Sequence, residues 1–300
     1  MASQRDVKNK IASVKNIQKI TRAMEAVAAA RLRRAEQRIV VLRPYADAIA
    51  RMTRQAAAAA GAEAQRLPLL RAHESGTDVG LLLVTGDRGL AGGFNSQIVR
   101  AGTRLSSELS EQGLTINWFA TGRRGVSSLS FRGNELKGAY TGFSDRPSYA
   151  DARTIADDLI QAYVDGQVDR VEMIYNRYVS PLTQTVTRQT LLPLTGTAIG
   201  GEQSEDATAA SASSHAAVEY EPDPERILRR LVPDYIEISI YRALVESAAG
   251  FFGAQMTAMR SASDNAGEII TEYTLQMNRA RQAEITQEIM EVVAGAEGLS

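Results

Sequence analysis

Residues 79–97 read VGLLLVTGDRGLAGGFNSQ. An apolar run, then Gly86, Gly89, Gly92 and Gly93 within eight positions, then the helix-patterned NSQIVRAGTRLSSELSEQG describe a strand, a tight turn and a helix. Glycine this dense between a strand and a helix often cradles a phosphate. Neither phosphate motif is met. A P-loop needs a lysine and a hydroxyl after its last glycine, and here the glycines lead into Phe94 and Asn95. A dinucleotide fingerprint needs Gly-x-Gly-x-x-Gly, which this spacing does not supply. The turn is read as structural, requiring positive φ and close backbone packing. Asp87 and Arg88 could serve chemistry, and a surface ion pair accounts for them equally.

Working outward, TINWFA (115–120) and RVEMIYNRYV (170–179) read as further buried strands, and ADARTIADDLIQAYVDG (150–166) as a helix. QTVTRQTLLPL (184–194) reads as one more strand, suited to an edge. Strands alternating with helices predict a largely parallel, Rossmann-like α/β domain over 77–195. Residues 196–221 hold few large apolar side chains and are read as a flexible acidic loop.

On either side the pattern changes to helical spacing. From Ser3 to Gly61 there is one proline, Pro44, and no internal glycine. Apolar residues fall at Val7, Ile11, Val14, Ile17, Ile20, Met24, Val27 and Leu32, in steps of three and four. Ser3 with Asp6 offers a capping pair, and Pro44 either bends the helix or divides it in two. The C-terminal stretch repeats the pattern through Leu244, Phe251, Met259, Ala266, Tyr273 and Ala280, with Pro233 in its first turn or at an early kink. Gly250, Gly253 and Gly267 weaken that helix unless another backbone comes close. Residues 1–61 and 222–298 are therefore expected to bury their stripes on each other as a long antiparallel coiled coil. Charge favours the pairing: thirteen Lys and Arg against four Asp and Glu over 1–60, but two Arg against seven Asp and Glu over 264–300.

Composition excludes several functions. The chain has no cysteine, hence no disulfide, thiol nucleophile or thiolate metal site. His73 and His215 stand far apart and read as ordinary surface histidines, so a histidine-based metal site is not expected. The basic first helix interleaves its charge with an apolar stripe and has no aromatic residue before Tyr45, which argues against nucleic acid. MASQRDVKNK lacks the apolar region of a secretory signal, and no run spans a bilayer; membrane association is expected only through partners.

Three stretches together carry a resemblance: IASVKNIQKITRAMEAVAAARLRRA (11–35), TGDRGLAGGFN (85–95) and NRARQAEITQEIMEVVAGA (278–296). In this order and at these separations the chain resembles the γ subunit of the rotary F-type ATP synthases along essentially its whole length. The resemblance implies a non-catalytic rotor. Its coiled coil enters the α3β3 ring, its α/β domain lies near the ε subunit and the membrane c-ring, and its glycine loop binds no nucleotide. It also implies a location on the cytoplasmic face of a bacterial plasma membrane, with neither a mitochondrial presequence nor the cysteine-bearing insert of chloroplast relatives. By motif position, Met24, Gln282 and Thr286 fall where the family meets the catch region of β. Gln255 stands where relatives usually have arginine, which puts a charge-assisted contact in doubt. Ala91 replaces the common cysteine of the glycine loop, and ALVESAAGFFG (243–253) departs from the usual ALASEHAAR. Two rivals remain distinguishable: a Rossmann-type enzyme would bind nucleotide through 77–195, and a free coiled-coil scaffold would self-associate.

Overall fold

In the computed structural model of the chain, residues 4–73, 76–194 and 223–297 are described. Ser3, His215, the 196–221 stretch, and the side chains of Glu291, Gly295 and Ala296 therefore lie outside the described residues. Helix α1 (Gln4–Ala60) leads through two short 3-10 turns to β1 (Asp78–Val84), α2 (Phe94–Glu111), β2 (Thr115–Thr121), α3 (Arg123–Phe131) and β3 (Leu136–Tyr140). Then come α4 (Tyr149–Val164), β4 (Arg170–Tyr178), β5 (Gln184–Leu192) and the long α5 (Pro224–Glu297). Pro44 lies inside an unbroken α1. Pro224, not Pro233, begins α5, so Pro233 sits in the helix interior. No helix among the described residues is long and apolar enough to cross a membrane.

The sheet order is β3-β2-β1-β4-β5. β1 pairs in parallel with β2 and β4, and β2 with β3, while β5 runs antiparallel at the edge beside β4. This is a mixed α/β fold with a mostly parallel, Rossmann-like sheet. β1 is central because it can be covered on both faces: Val79 to Val84 are buried throughout. Leu82 and Val84 join a core built from α4 (Ile155, Leu159), α1 (Ile49, Ala56) and α5 (Leu228, Ile236, Ile240). Leu83 meets α2 at Gly102, where a Cβ would lie 2.6 Å from a leucine methyl. The glycine is there to let helix and strand touch. α4 starts on a capping box, Ser148 with Asp151, each side chain bonding the other's backbone N–H.

The chain divides into two compact units, Arg31–Ala254 and Met1–Ala30 with Gln255–Ser300. In the second, α1 and α5 run antiparallel: Lys10 lies over the Tyr273 ring, Gln18 and Thr21 meet Ser263, and Glu25 meets Arg260. The seam does not follow the apolar residues alone. Val7, Ile11 and Ala28 are buried, but Ile17, Ile20 and Val27 are each about half exposed, at 51%, 58% and 51%. Thr21 and Ser263 take the seam instead, buried and with their hydroxyl oxygens 2.6 Å apart. Gln18 donates to the Ser263 carbonyl at 3.1 Å, and Gly267 leaves room for that amide, since a Cβ there would lie 3.2 Å from Gln18 Nε2. One ion pair between these helices, Glu25 with Arg260 at 2.8 Å, has its acid on the basic helix.

Candidate functional site

The glycine loop follows β1, where the strand order of the sheet reverses. That crevice is where doubly wound folds take their ligands. Here the chain fills it. Asp87 aims its carboxylate at backbone N–H groups of two other loops: Arg123 at 3.0 Å, Gly142 at 3.0 Å to each oxygen, and Ser144 at 3.1 Å. Its own N–H donates to Ser144 Oγ at 2.7 Å. Burial pushes the Asp87 carboxyl up, but the N–H groups of Gly142, Ser144 and Arg123, with the Ser144 side chain, outweigh it and hold it below the usual aspartate value. Asn95 folds back over the turn, accepting from Gly86 N–H at 2.8 Å and donating to the Arg88 carbonyl at 3.0 Å.

Sterics close what hydrogen bonds leave. A Cβ on Gly86 would lie 3.2 Å from the Phe251 ring of α5, which meets Phe94 edge to face at 5.7 Å. Gly122, at φ +80°, sits so close that a Cβ would lie 2.2 Å from the Thr85 carbonyl oxygen. Thr85 Oγ donates to the Thr121 carbonyl at 2.6 Å and accepts from Gly125 N–H at 2.8 Å. Gly92 takes the positive φ expected of the turn, at +55°, and so does Leu90, at +64°. The amide cluster that could hold an anion thus already holds one, belonging to Asp87. Asp87 and Arg88 are not an ion pair with each other. Asp87 lies 4.0 Å from Arg123, and Arg88 pairs with Asp145 at 3.4 Å.

His73 is not an ordinary surface histidine. It stacks on Tyr163 at 4.4 Å, and its Nδ1 lies 2.9 Å from Asp169, pinning the segment before β1 to the start of β4. Gly253 has the close backbone expected of it, 2.8 Å from a Cβ to the Pro181 carbonyl oxygen, whereas Gly250 and Gly267 make room for side chains.

The other expected residues lie on the helical pair. Met24 on α1 and Gln255 on α5 are half-buried, and the pairing of Glu25 with Arg260 puts them near one level. Gln282 and Thr286 are exposed, as is every residue from Arg281 to Met290. They stand some 27 residues beyond Gln255, roughly 40 Å along a helix. Because Lys10 already meets Tyr273, they lie level with the first residues of α1 or past them. Thr286 Oγ donates to the Gln282 carbonyl at 2.8 Å, which puts the two on one helix face. The four residues thus fall into two groups, not one.

The family model described as ATP synthase matches residues 3–299. An ATP synthase gamma chain of Rubrobacter xylanophilus is 43% identical over 300 residues, covering 100% of this chain and 99% of that one. The chain belongs to the ATP synthase gamma-chain family. A gamma chain of a Cyanothece species is 40% identical, with both chains fully covered. Among solved structures, a chain of the Euglena gracilis mitochondrial ATP synthase superposes with a TM-score of 0.67 over 99% of this chain and 94% of that one, at 13% identity. One from the Tetrahymena thermophila central stalk and c-ring gives 0.57 over 81% and 99%, at 23% identity. At such identities these two speak for the fold alone.

For a gamma-chain family member, the sequence reading missed the partners of its own signature loop. Gly142, Ser144 and Asp145 lie some fifty residues downstream, in a stretch with no periodicity. It also missed Gln18, Thr21 and Ser263. Their signal was present: three short polar residues at seam spacing opposite a glycine.

Proposed function

We propose that this chain is the central-stalk rotor of an F1Fo ATP synthase, coupling proton-driven rotation of a c-ring to sequential conformational change at three catalytic β subunits. The observation that carries this is the full-length relation to gamma chains, 43% identical end to end. Its partners in this reading are the α3β3 ring, the ε subunit and the c-ring, and through them it is held at the cytoplasmic face of a bacterial plasma membrane. Residues 1–61 and 222–298 act as its coiled-coil arms and 77–195 as its Rossmann-like head. The chain contributes no catalytic group. Catalysis belongs to the β subunits, and the same rotor turned the other way couples ATP hydrolysis to proton pumping.

The mechanism needs unequal flanks. A rotor shifts the equilibrium of a surrounding site only if its contacts differ in free energy between the site's states. Two antiparallel helices, one rich in Lys and Arg and the other in Glu, present such a difference at every angle. The half-exposed Ile17, Ile20 and Val27 add apolar contacts on one flank. Met24 and Gln255 at one level, with Gln282 and Thr286 at the other, are the residues assigned to the catch region of β. The test is expression with α and β. The reading requires co-purification with both; a chain that ignores them and self-associates is a scaffold. Nucleotide binding by the chain alone in calorimetry would favour the enzyme. Restoring arginine at Gln255 should change the synthesis rate or the coupling ratio, and no change in either would leave that position idle.

A further inference from the structure

The contacts of Asp87 have a second consequence at the residue beside its target. Ser144, held by Asp87 from both backbone and side chain, is followed by Asp145. Asp145 Oδ2 receives two guanidiniums: Arg31 of α1 at 3.1 Å and Arg88 of the glycine loop at 3.4 Å. Arg31 also lies over the Phe252 ring of α5, 5.7 Å from its centroid. The glycine loop and α1 thus meet at one carboxylate of the 142–145 loop, and α5 meets the same Arg31.

On this stretch α1 also buries Leu32, Ala35 and Ile39. Beside the bridge is a cavity of about 230 Å³, lined by Arg31 and Asp145 with Val245, Ala248 and Phe252 of α5. Apolar contact is non-directional and lets a helix roll; an ion pair fixed at both ends does not. The next polar tie of α1 to the sheet is Glu36, which accepts from the Tyr178 hydroxyl at 2.5 Å. Five residues on, it leaves α1 at about 140° from Arg31. Two grips on different sides of one helix fix its rotation about its own axis.

Resting on the rotor reading, we propose that Asp145, held in place by Asp87, is a positioning residue. Through Arg31 and Arg88 it sets the angle of α1 against the α/β sheet and passes torque into that helix. The glycine loop then has a mechanical role: it fixes the anchor of the bridge. Asp145 is 28% exposed and Arg31 40%, so breaking the bridge should shift the melting temperature by no more than about 4 °C. Coupling is the readout that a merely structural role would not move.

The experiment uses the assembled synthase in inverted vesicles carrying Asp145→Asn, Arg31→Gln, the double variant and Asp145→Glu. Coupled ATP synthesis should fall at least about threefold in each single variant, and in the double no further than in the worse single. Asp145→Glu should recover most of it. Wild-type synthesis in both singles overturns the proposal, as do losses that multiply in the double. Failure of Asp145→Asn to assemble while Arg31→Gln assembles and synthesises normally also overturns it, because the carboxylate then serves only loop folding. If the unaltered chain supports no synthesis, it is the rotor reading that fails.

Discussion

Asp87 and Gln282 both lie in stretches that carry the family resemblance, and their surroundings are opposite. The Asp87 side chain is 11% exposed and holds the amides of three residues from two other loops. Gln282 stands in solvent, its carbonyl accepting from Thr286 of its own helix. A polar side chain with every acceptor satisfied inside its unit stabilises that unit and recognises nothing outside it. A polar amide left in solvent on a helix does little for stability and is available to a partner. The contrast predicts that mutations in the two regions will separate stability from function.

The largest effect belongs to Gly122. Gly122→Ala brings a methyl to 2.2 Å from a backbone oxygen at a positive φ, and should cost at least about 3 kcal/mol, enough to abolish a cooperative melt. Gly133→Ala has the same φ of +80° with open space around it, and should cost only about 1 kcal/mol. Equal losses in thermal unfolding would mean that backbone conformation, not the Thr85 contact, sets the requirement.

Next comes Asp87→Ala, expected to cost about 1.5–3 kcal/mol by removing the charged acceptor shared by the amides of Arg123, Gly142 and Ser144. The pH dependence sharpens this. The folded carboxyl titrates below its unfolded value of 3.8, so its stabilisation is complete above about pH 5 and is lost as pH falls through the folded value. Urea melts of the parent should weaken on that acid limb, and Asp87→Asn should flatten it. An unchanged acid limb would break the claim that this carboxylate serves the fold.

A third, smaller effect tests the seam of the helical pair. Thr21→Val leaves the Ser263 hydroxyl buried without its partner, at about 1–2 kcal/mol. Adding Ser263→Ala should recover much of that loss. If the double variant is as weak as the sum of the singles, the hydroxyl pair is not one unit.

How far the sequence carried can be judged from particular elements. β1, β2, β4 and β5 were legible because each is a run of apolar or alternating residues bounded by turn formers. α2 and α4 were legible because their stripes keep helical period. α3 and β3 were not. RRGVSSLSF offers only Gly125 and Leu129 as buried positions, and LKGAY is five residues of edge strand with no residue fully buried. Both acquire order from neighbours, Gly125 against Thr85 and β3 against β2. Antiparallel pairing of the terminal helices was legible, but the seam was not. Apolar count favoured Ile17 and Ile20, whereas the seam runs through Gln18 and Thr21, whose partners lie more than two hundred residues away. The inert character of the glycine loop could be argued from missing motifs. That Asp87 occupies the anion position needed three loops brought together in space.

The smallest expected change in stability falls where the largest change in function is expected. Gln282→Leu with Thr286→Val removes one hydrogen bond along α5 and should alter stability by no more than about 0.5 kcal/mol, because a threonine bonding back to its own helix contributes little there. On the rotor reading, coupled synthesis in inverted vesicles should nonetheless drop, since both replaced side chains are exposed at positions proposed to meet β. A pair of variants with normal melting and impaired synthesis fits residues that act on a partner. Normal melting with normal synthesis removes them from the mechanism and leaves torque to the apolar and charged flanks alone. Impaired melting would mean that this stretch of α5, exposed along one chain, is already committed to a contact of its own.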